Sequence, residues 1–201
     1  ARAATWEMPT GYPDAIFHTA NVLQFAGDVK RLTGGALDIN VRAGATMMKL
    51  PEIKNAVRDG KVPIGEILLS VHAAENPIFA VDSIPFLAAS YDEAKRLWSA
   101  SRAATEAALK RQGLAVLYVV PWPPQGIYTK KALATLDDLK GLKFRAYNPI
   151  TTKLAQLVGA VPTTIEAADV PKAFTEGRIE AMISSASSGA HGKSWEYLTH
   201  Y

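Results

Sequence analysis

The stretch Gly141-Leu142-Lys143-Phe144-Arg145-Ala146-Tyr147-Asn148-Pro149 leaves the backbone few options. It reads as a short buried strand that ends in an arginine and turns at once into a helix. Asn148 suits the N-cap, where a side-chain oxygen accepts from the first unpaired helical N–H groups, and the ring-fixed φ of Pro149 suits the first helical position. Ile150, Leu154, Leu157 and Val158 then recur at helical spacing until Gly159 stops the run. Such a corner sets unpaired N–H groups and the positive end of a helix dipole beside a guanidinium, a combination that suits a carboxylate or phosphate. In open α/β sheets ligands sit beyond the carboxyl ends of the strands, where Arg145 is expected. The competing structural reading pairs Arg145 with Asp169 or Glu166, because buried arginines are usually matched by carboxylates.

The rest of the chain supplies the setting. Thr5 to Pro9 reads as a strand, and Asp14 opens a helix whose Val22, Phe25, Val29 and Leu32 share a face up to Gly34-Gly35. Leu37, Ile39 and Val41 alternate with polar residues as a half-covered strand. Pro51 opens a helix that stops at Gly60, and Val62 to Leu69 reads as a further β-rich run. Ser90 and Glu93 form a capping box for a long helix with Ala94, Leu97, Trp98, Ser101, Ala104, Thr105 and Ala108 facing inward and Gly113 closing it. Leu114 to Val120 reads as a buried strand, followed by Pro121-Trp122-Pro123-Pro124, whose three prolines can neither join a ladder nor continue a helix. Beyond them come a strand over Gly126 to Lys130, a helical turn at Leu136 to Leu139, a strand over Leu142 to Arg145 and a helix from Pro149 to Val158. Strand and helix alternate, which predicts an α/β fold with a mainly parallel sheet. The proline cluster reads as an inter-domain crossing that divides an N-terminal α/β lobe, residues 1–122, from a second α/β lobe, residues 123–201. Ala56-Val57-Arg58-Asp59-Gly60-Lys61-Val62 echoes Ala173-Phe174-Thr175-Glu176-Gly177-Arg178-Ile179 in residue type, either as lobe-to-lobe correspondence or as common turn chemistry.

Composition narrows the chemistry. With 48% apolar residues in 201 the chain can build a proper core. The formal charge of +3 is spread over pairs such as Lys30-Arg31, Lys95-Arg96 and Lys130-Lys131, so no basic stripe points to nucleic acid. The chain has no cysteine, and His18, His72, His191 and His200 show no metal-binding spacing. No phosphate-cradling glycine motif occurs, so no cofactor is expected. Ser184 to Gly189 is serine-dense without a nucleophile elbow and reads as a polar, ligand-lining loop. Tyr12, Phe17, Met47-Met48, Trp122 and Tyr147 flank the predicted loops, as the apolar walls of a small-ligand cleft do. Ala1 to Thr5, without an initiator Met, suits a processed N-terminus near a signal-peptide cleavage site. No run approaches the length of a membrane span.

Several segments together resemble a known family. They are Gly34-Gly35-Ala36-Leu37-Asp38-Ile39-Asn40-Val41, Glu52 to Val62, Ser83-Ile84-Pro85-Phe86-Leu87, Leu136 to Arg145, Gly159-Ala160-Val161-Pro162 and Trp195-Glu196-Tyr197-Leu198-Thr199-His200. In this order they are similar to the solute receptors of tripartite ATP-independent periplasmic (TRAP) transporters, the DctP-like group. The resemblance implies a two-lobed, type II periplasmic-binding-protein-like fold with a ligand cleft between lobes. It also implies a non-enzymatic receptor in the periplasm of a Gram-negative bacterium that delivers a small organic acid anion to integral membrane permease subunits. Arg145 then pairs with the substrate carboxylate. Gln125, Glu66 in the loop after Val62, and Ser184 occupy further carried-over positions, and Asn148, Tyr147, Trp122, Met48 and Phe17 complete the expected ligand-binding set.

Three departures from the family pattern shape the expected ligand. Gln125 stands where many members carry a second arginine, and a neutral amide suits one carboxylate plus a carbonyl or hydroxyl. Ile183-Ser184 is smaller and less polar than the family's acidic-plus-amide pair, and Met47-Met48 stand where sugar-acid binders carry acidic residues. These features predict an apolar or aromatic 2-oxo or 2-hydroxy monocarboxylate, with C4-dicarboxylates or sugar acids as alternatives. The third departure is length: the family pattern continues beyond Tyr201, so a C-terminal part is expected to be missing. A ligand-sensing effector domain and an enzyme on the same scaffold are the readings from other classes. The first needs a helix-turn-helix, the second a convergent acid and base.

Overall fold

Residues 3–200 are described by a computed structural model. Ala1, Arg2 and Tyr201, on which the expectations about the two chain ends partly rest, lie outside them. The chain forms two compact units. One runs to Leu68 and takes up Leu109–Ala115; the other comprises Leu69–Ala108 and the chain from Val116 on. Residues 69–108 thus group with 123–201, whereas the sequence places them with 1–122. Asn148 Nδ2 supplies a physical reason, since it donates to Ser70 Oγ at 2.9 Å and to Ser83 Oγ at 3.3 Å.

In the first unit, strand β1 (Ala4–Pro9) runs parallel to β2 (Leu37–Arg42), with Ala4 opposite Leu37 and Pro9 opposite Arg42. Helix α1 (Phe17–Leu32) connects them, and Val22 and Ala26 pack on Met8, Ile39 and Ile64. The helix begins at Phe17 rather than Asp14, because Pro13 to Ile16 closes a turn of its own with Ile16 N–H on Pro13 O at 3.1 Å. Leu32 lies outside the buried face at 74% exposure. Helix α2 (Leu50–Arg58) follows, close to expectation.

Two expected strands are absent. The run from Val62 to Leu69 buries Val62 and Ile64 but forms no ladder. Pro63 has no N–H to give, and Gly65 lies so close to Ile53 that an added Cβ would sit 2.4 Å from its Cγ2. A backbone bond from Glu66 N–H to Pro9 O, 3.1 Å, ties the run to the end of β1. The run from Leu114 to Val120 is also irregular, with Leu117 64% exposed. It belongs to neither of the two sheets formed by the described residues.

Helix α3 (Tyr91–Lys110), all but its last two residues in the second unit, starts as expected, with Glu93 N–H on Ser90 Oγ at 3.2 Å. Ser101, Thr105 and Ala108 are buried, whereas Ala104 faces solvent. Four strands form one sheet in the order β3 (Gln125–Thr129), β6 (Ala181–Ser185), β4 (Lys143–Ala146), β5 (Val161–Thr164). The β4–β5 and β4–β6 pairs are parallel and β3 is antiparallel to β6. Pro162 is tolerated because β5 is the edge strand. Helix α4 (Pro149–Leu157) links β4 to β5, and α5 (Val170–Thr175) leads to β6. The fully covered positions of α4 are Thr151 and Ala155, while Leu157 from the predicted apolar stripe is 72% exposed. Phe144 packs with Leu139, Leu142 and Ala155 on one side. Phe174, Ile179 and Met182 form a second core with Tyr128 and Leu198. Each buried side chain of this size contributes about 1.5–3 kcal/mol.

Candidate functional site

Strand β4 is the inner strand that positions Arg145. Phe144, Arg145 and Ala146 are all buried, so both of its faces are covered. Neighbouring side chains on a strand point to opposite faces, so Phe144 enters the core while Arg145 and Tyr147 share the other side. Arg145 is 7% exposed. Its Nε donates to Ile165 O at 3.0 Å and its Nη1 to Ile183 O at 3.5 Å. The guanidinium carbon lies 5.0 Å from the Tyr147 ring centroid, a cation–π arrangement. A planar guanidinium held by two carbonyls and a ring face is fixed before any ligand arrives.

Tyr147 extends this cluster to Gln125. The phenol donates to Gln125 Oε1 at 3.4 Å, and Gln125 Nε2 donates to Pro123 O at 2.8 Å. Burial holds the Tyr147 phenol above its ordinary value of 10, a rise opposed by the Arg145 charge and assisted by Asp82. It therefore stays a neutral donor at physiological pH. Gln125 itself is exposed, and Trp122 is half-buried in the irregular segment before β3. Ser184 lies on β6 opposite Gly126 of β3 and is buried. The serine-dense stretch is a strand end and a short helix, α6 (Ala186–His191), rather than the expected loop, with Ser188 N–H on the Ser185 hydroxyl at 3.1 Å.

The helix start behaves differently from the sequence expectation. Asn148 Oδ1 accepts from Thr151 N at 2.7 Å, as an N-cap should. Thr151 Oγ1 in turn accepts from the backbone N–H of Tyr147 and Asn148 at 3.1 and 3.2 Å, and Thr152 N–H meets Asn148 O at 3.0 Å. The N–H groups of Tyr147, Asn148, Thr151 and Thr152 at the helix start thus have acceptors within the chain. Asn148 gives its remaining polar capacity to Ser70 and Ser83. Its visible role is to cap α4 and to hold the segment around residues 70–83.

The other predicted residues lie in the first unit. Glu66 follows the irregular run, and its Oε2 accepts a short hydrogen bond from Thr10 Oγ1 just beyond the end of β1. Burial raises the Glu66 carboxyl above its ordinary 4.5, with the Thr10 bond acting in the opposite direction. Phe17 opens α1 and its ring lies 4.0 Å from that of His18. Met48 is half-buried in the loop between β2 and α2, beside exposed Met47. Sequence reasoning overlooked Thr10, Ser70 and Ser83. For Thr10 a usable signal existed: it follows a strand, where the same logic had selected Arg145 and its neighbours.

A family model described as bacterial extracellular solute-binding protein, family 7 (DctP), matches residues 12–201. The chain belongs to this family. Among solved structures, this family 7 chain is similar to DctP7, a Bordetella pertussis extracytoplasmic solute receptor binding pyroglutamic acid. The two are 47% identical with a TM-score of 0.95, over 98% of this chain and 65% of that one. It is similar as well to a TRAP solute-binding protein of an unidentified marine microbe, specific for pyroglutamate, at 41% identity and a TM-score of 0.96. That match covers 99% of this chain and 66% of the other. A solute-binding protein of Albidiferax ferrireducens is 23% identical over 175 residues, which is 86% of this chain and 51% of the relative. The chain therefore spans about half the length of that curated relative and 65% of DctP7. Among the described residues no helix is long and apolar enough to cross a membrane.

Proposed function

We propose that this chain is part of a periplasmic TRAP receptor that captures a small organic acid anion, without catalysis, and delivers it to an integral membrane permease. The observation that carries the proposal is the Arg145 guanidinium at the carboxyl end of β4, buried and held by Ile165 O, Ile183 O and the Tyr147 ring. A guanidinium in that setting pairs with a carboxylate by two parallel N–H bonds, which supplies energy and orientation together. The preferred ligand is a cyclic monocarboxylate of the pyroglutamate type. Relatives at 47% and 41% identity bind pyroglutamate, and the neutral Gln125 amide near Arg145 suits a single carboxylate with a neutral polar group. An apolar or aromatic 2-oxo or 2-hydroxy monocarboxylate is the second reading, favoured by the half-buried Trp122 close to Gln125 in the chain.

Thermal-shift and calorimetric titration of the full-length receptor tests the proposal. At 100 times its dissociation constant a ligand stabilises by about 2.7 kcal/mol, so pyroglutamate should raise the melting temperature measurably. Phenylpyruvate, malate and glucuronate serve as competitors. Arg145→Ala is expected to abolish the shift while circular dichroism stays native. Undiminished affinity in that variant would remove Arg145 from the site, and a receptor that prefers malate would exclude the monocarboxylate assignment.

A further inference from the structure

The Gln125 amide has a defined orientation. Pro123 O can only accept, so the nitrogen of the amide must face it, at 2.8 Å, and Oε1 must face the Tyr147 hydroxyl, which donates at 3.4 Å. That hydroxyl belongs to the ring lying 5.0 Å from the Arg145 guanidinium. One tyrosine therefore touches the cation with its face and the amide with its hydroxyl. With Oε1 occupied by the phenol and one Nε2 hydrogen on Pro123, the second Nε2 hydrogen is what Gln125 offers outward.

We infer that Tyr147 is a positioning residue that fixes Gln125 as a hydrogen-bond donor one ring away from Arg145, so that the site selects ligands carrying one carboxylate and a nearby neutral acceptor such as a ring carbonyl. This rests on the proposed function, in which Arg145 holds the carboxylate. The amide supplies no charge, so a second carboxylate placed there gains no ion pair and must be desolvated against a weak donor. A carbonyl on a small ring loses little on desolvation and finds a matched N–H. The donor orientation also ranks ligands: a group that can only donate meets the N–H of Gln125 rather than its oxygen.

Three probes with the same ring size separate the parts. Pyroglutamate carries carboxylate, carbonyl and N–H; 3-oxocyclopentanecarboxylate keeps the carbonyl in the same relation to the carboxylate and lacks the N–H; cyclopentanecarboxylate lacks both. On the full-length receptor, titration calorimetry should find the oxo acid bound about fivefold to tenfold more tightly than cyclopentanecarboxylate, the worth of one neutral hydrogen bond. Gln125→Leu, a change at an exposed position, should bring that ratio close to one while carboxylate binding persists. Tyr147→Phe keeps the ring over Arg145 but removes the hydroxyl, and should shrink the ratio to roughly two or less. A ratio is taken within one variant, so losses of overall stability or affinity cancel from it. A wild-type ratio near one, or an unchanged ratio in either variant, overturns the inference and leaves carboxylate capture by Arg145 standing. Failure of every carboxylate to bind the wild type would instead strike the proposed function.

Discussion

Two glycine turns, one in each unit, close their helices with the same bonds and then lead to different structures. At the end of α2, Asp59 N–H meets Asn55 O, Gly60 meets Val57, and Lys61 and Val62 both meet Ala56, at 2.8, 3.1, 2.9 and 3.4 Å. At the end of α5 the corresponding partners are Glu176 and Lys172, Gly177 and Phe174, and Arg178 and Ile179 on Ala173, at 2.9, 3.2, 2.9 and 3.3 Å. Both glycines adopt a left-handed φ, +71° and +68°. Past Ile179, Glu180 N–H joins Lys143 O at 2.8 Å and the chain enters β6, paired on both sides. Past Val62, Pro63 and Gly65 interrupt the ladder and a bond to Pro9 marks the approach to β1. The turn is local chemistry; the strand depends on who waits beside it. Gly159 closes α4 in the same way, with Ala160 N–H on Ala155 O at 2.9 Å, so the shared motif does not by itself argue for corresponding lobes.

The comparison can be broken most sharply at the residues that follow the turns. Ile179 is fully buried in the core with Val170, Phe174 and Met182, whereas Val62 is buried beside a run without a ladder. Ile179→Ala should cost about 2–5 kcal/mol in chemical denaturation of the full-length protein. Val62→Ala, a smaller truncation, should cost clearly less; equal losses would mean that the strand adds nothing to the second turn.

The glycines themselves should behave alike. An added Cβ at Gly60 or Gly177 meets nothing within 4 Å, so Gly→Ala at either should cost only the left-handed penalty, about 1–2 kcal/mol. A difference between the two beyond about 0.5 kcal/mol, outside ordinary scatter for independent sites, would show that the turns are not equivalent. The smallest effect is expected at Glu66 in the first unit. Its carboxyl binds a proton more readily folded than unfolded, so the cost of its charge appears as pH rises past its ordinary 4.5 toward the raised folded value. Glu66→Gln should therefore be modestly stabilising at pH 7, and that advantage should fade as pH falls through the raised folded value toward 4.5 and be absent below it. Melting temperatures from pH 3.5 to 7.5 check the sign, and a variant less stable at pH 7 would mean that the Thr10 bond outweighs burial.

Where the sequence was readable, the reason was local. Asn148, Pro149 and Gly159 bracket α4 because caps act within one turn, and the β1–α1–β2 pattern follows from side-chain period alone. The Arg145 strand was legible for the same reason. Asn148 as a ligand contact was expected on chemistry that its serine partners now occupy, and Ser70 and Ser83 lie too far along the chain for any spacing rule to connect them. The two missing strands misled because an apolar run is necessary for a buried strand without being sufficient.

By itself, the sequence determined the β1–α1–β2 order, the strand that carries Arg145 and the capped helix after it. These depend on propensities, periodicity and hydrogen bonds spanning a few residues. Only the tertiary structure decided that Ile165 O, Ile183 O and the Tyr147 ring hold the guanidinium, and that Gln125 turns its nitrogen toward Pro123. Those contacts join segments distant in the chain or depend on how the folded backbone aims two side chains, and neither is written in residue spacing.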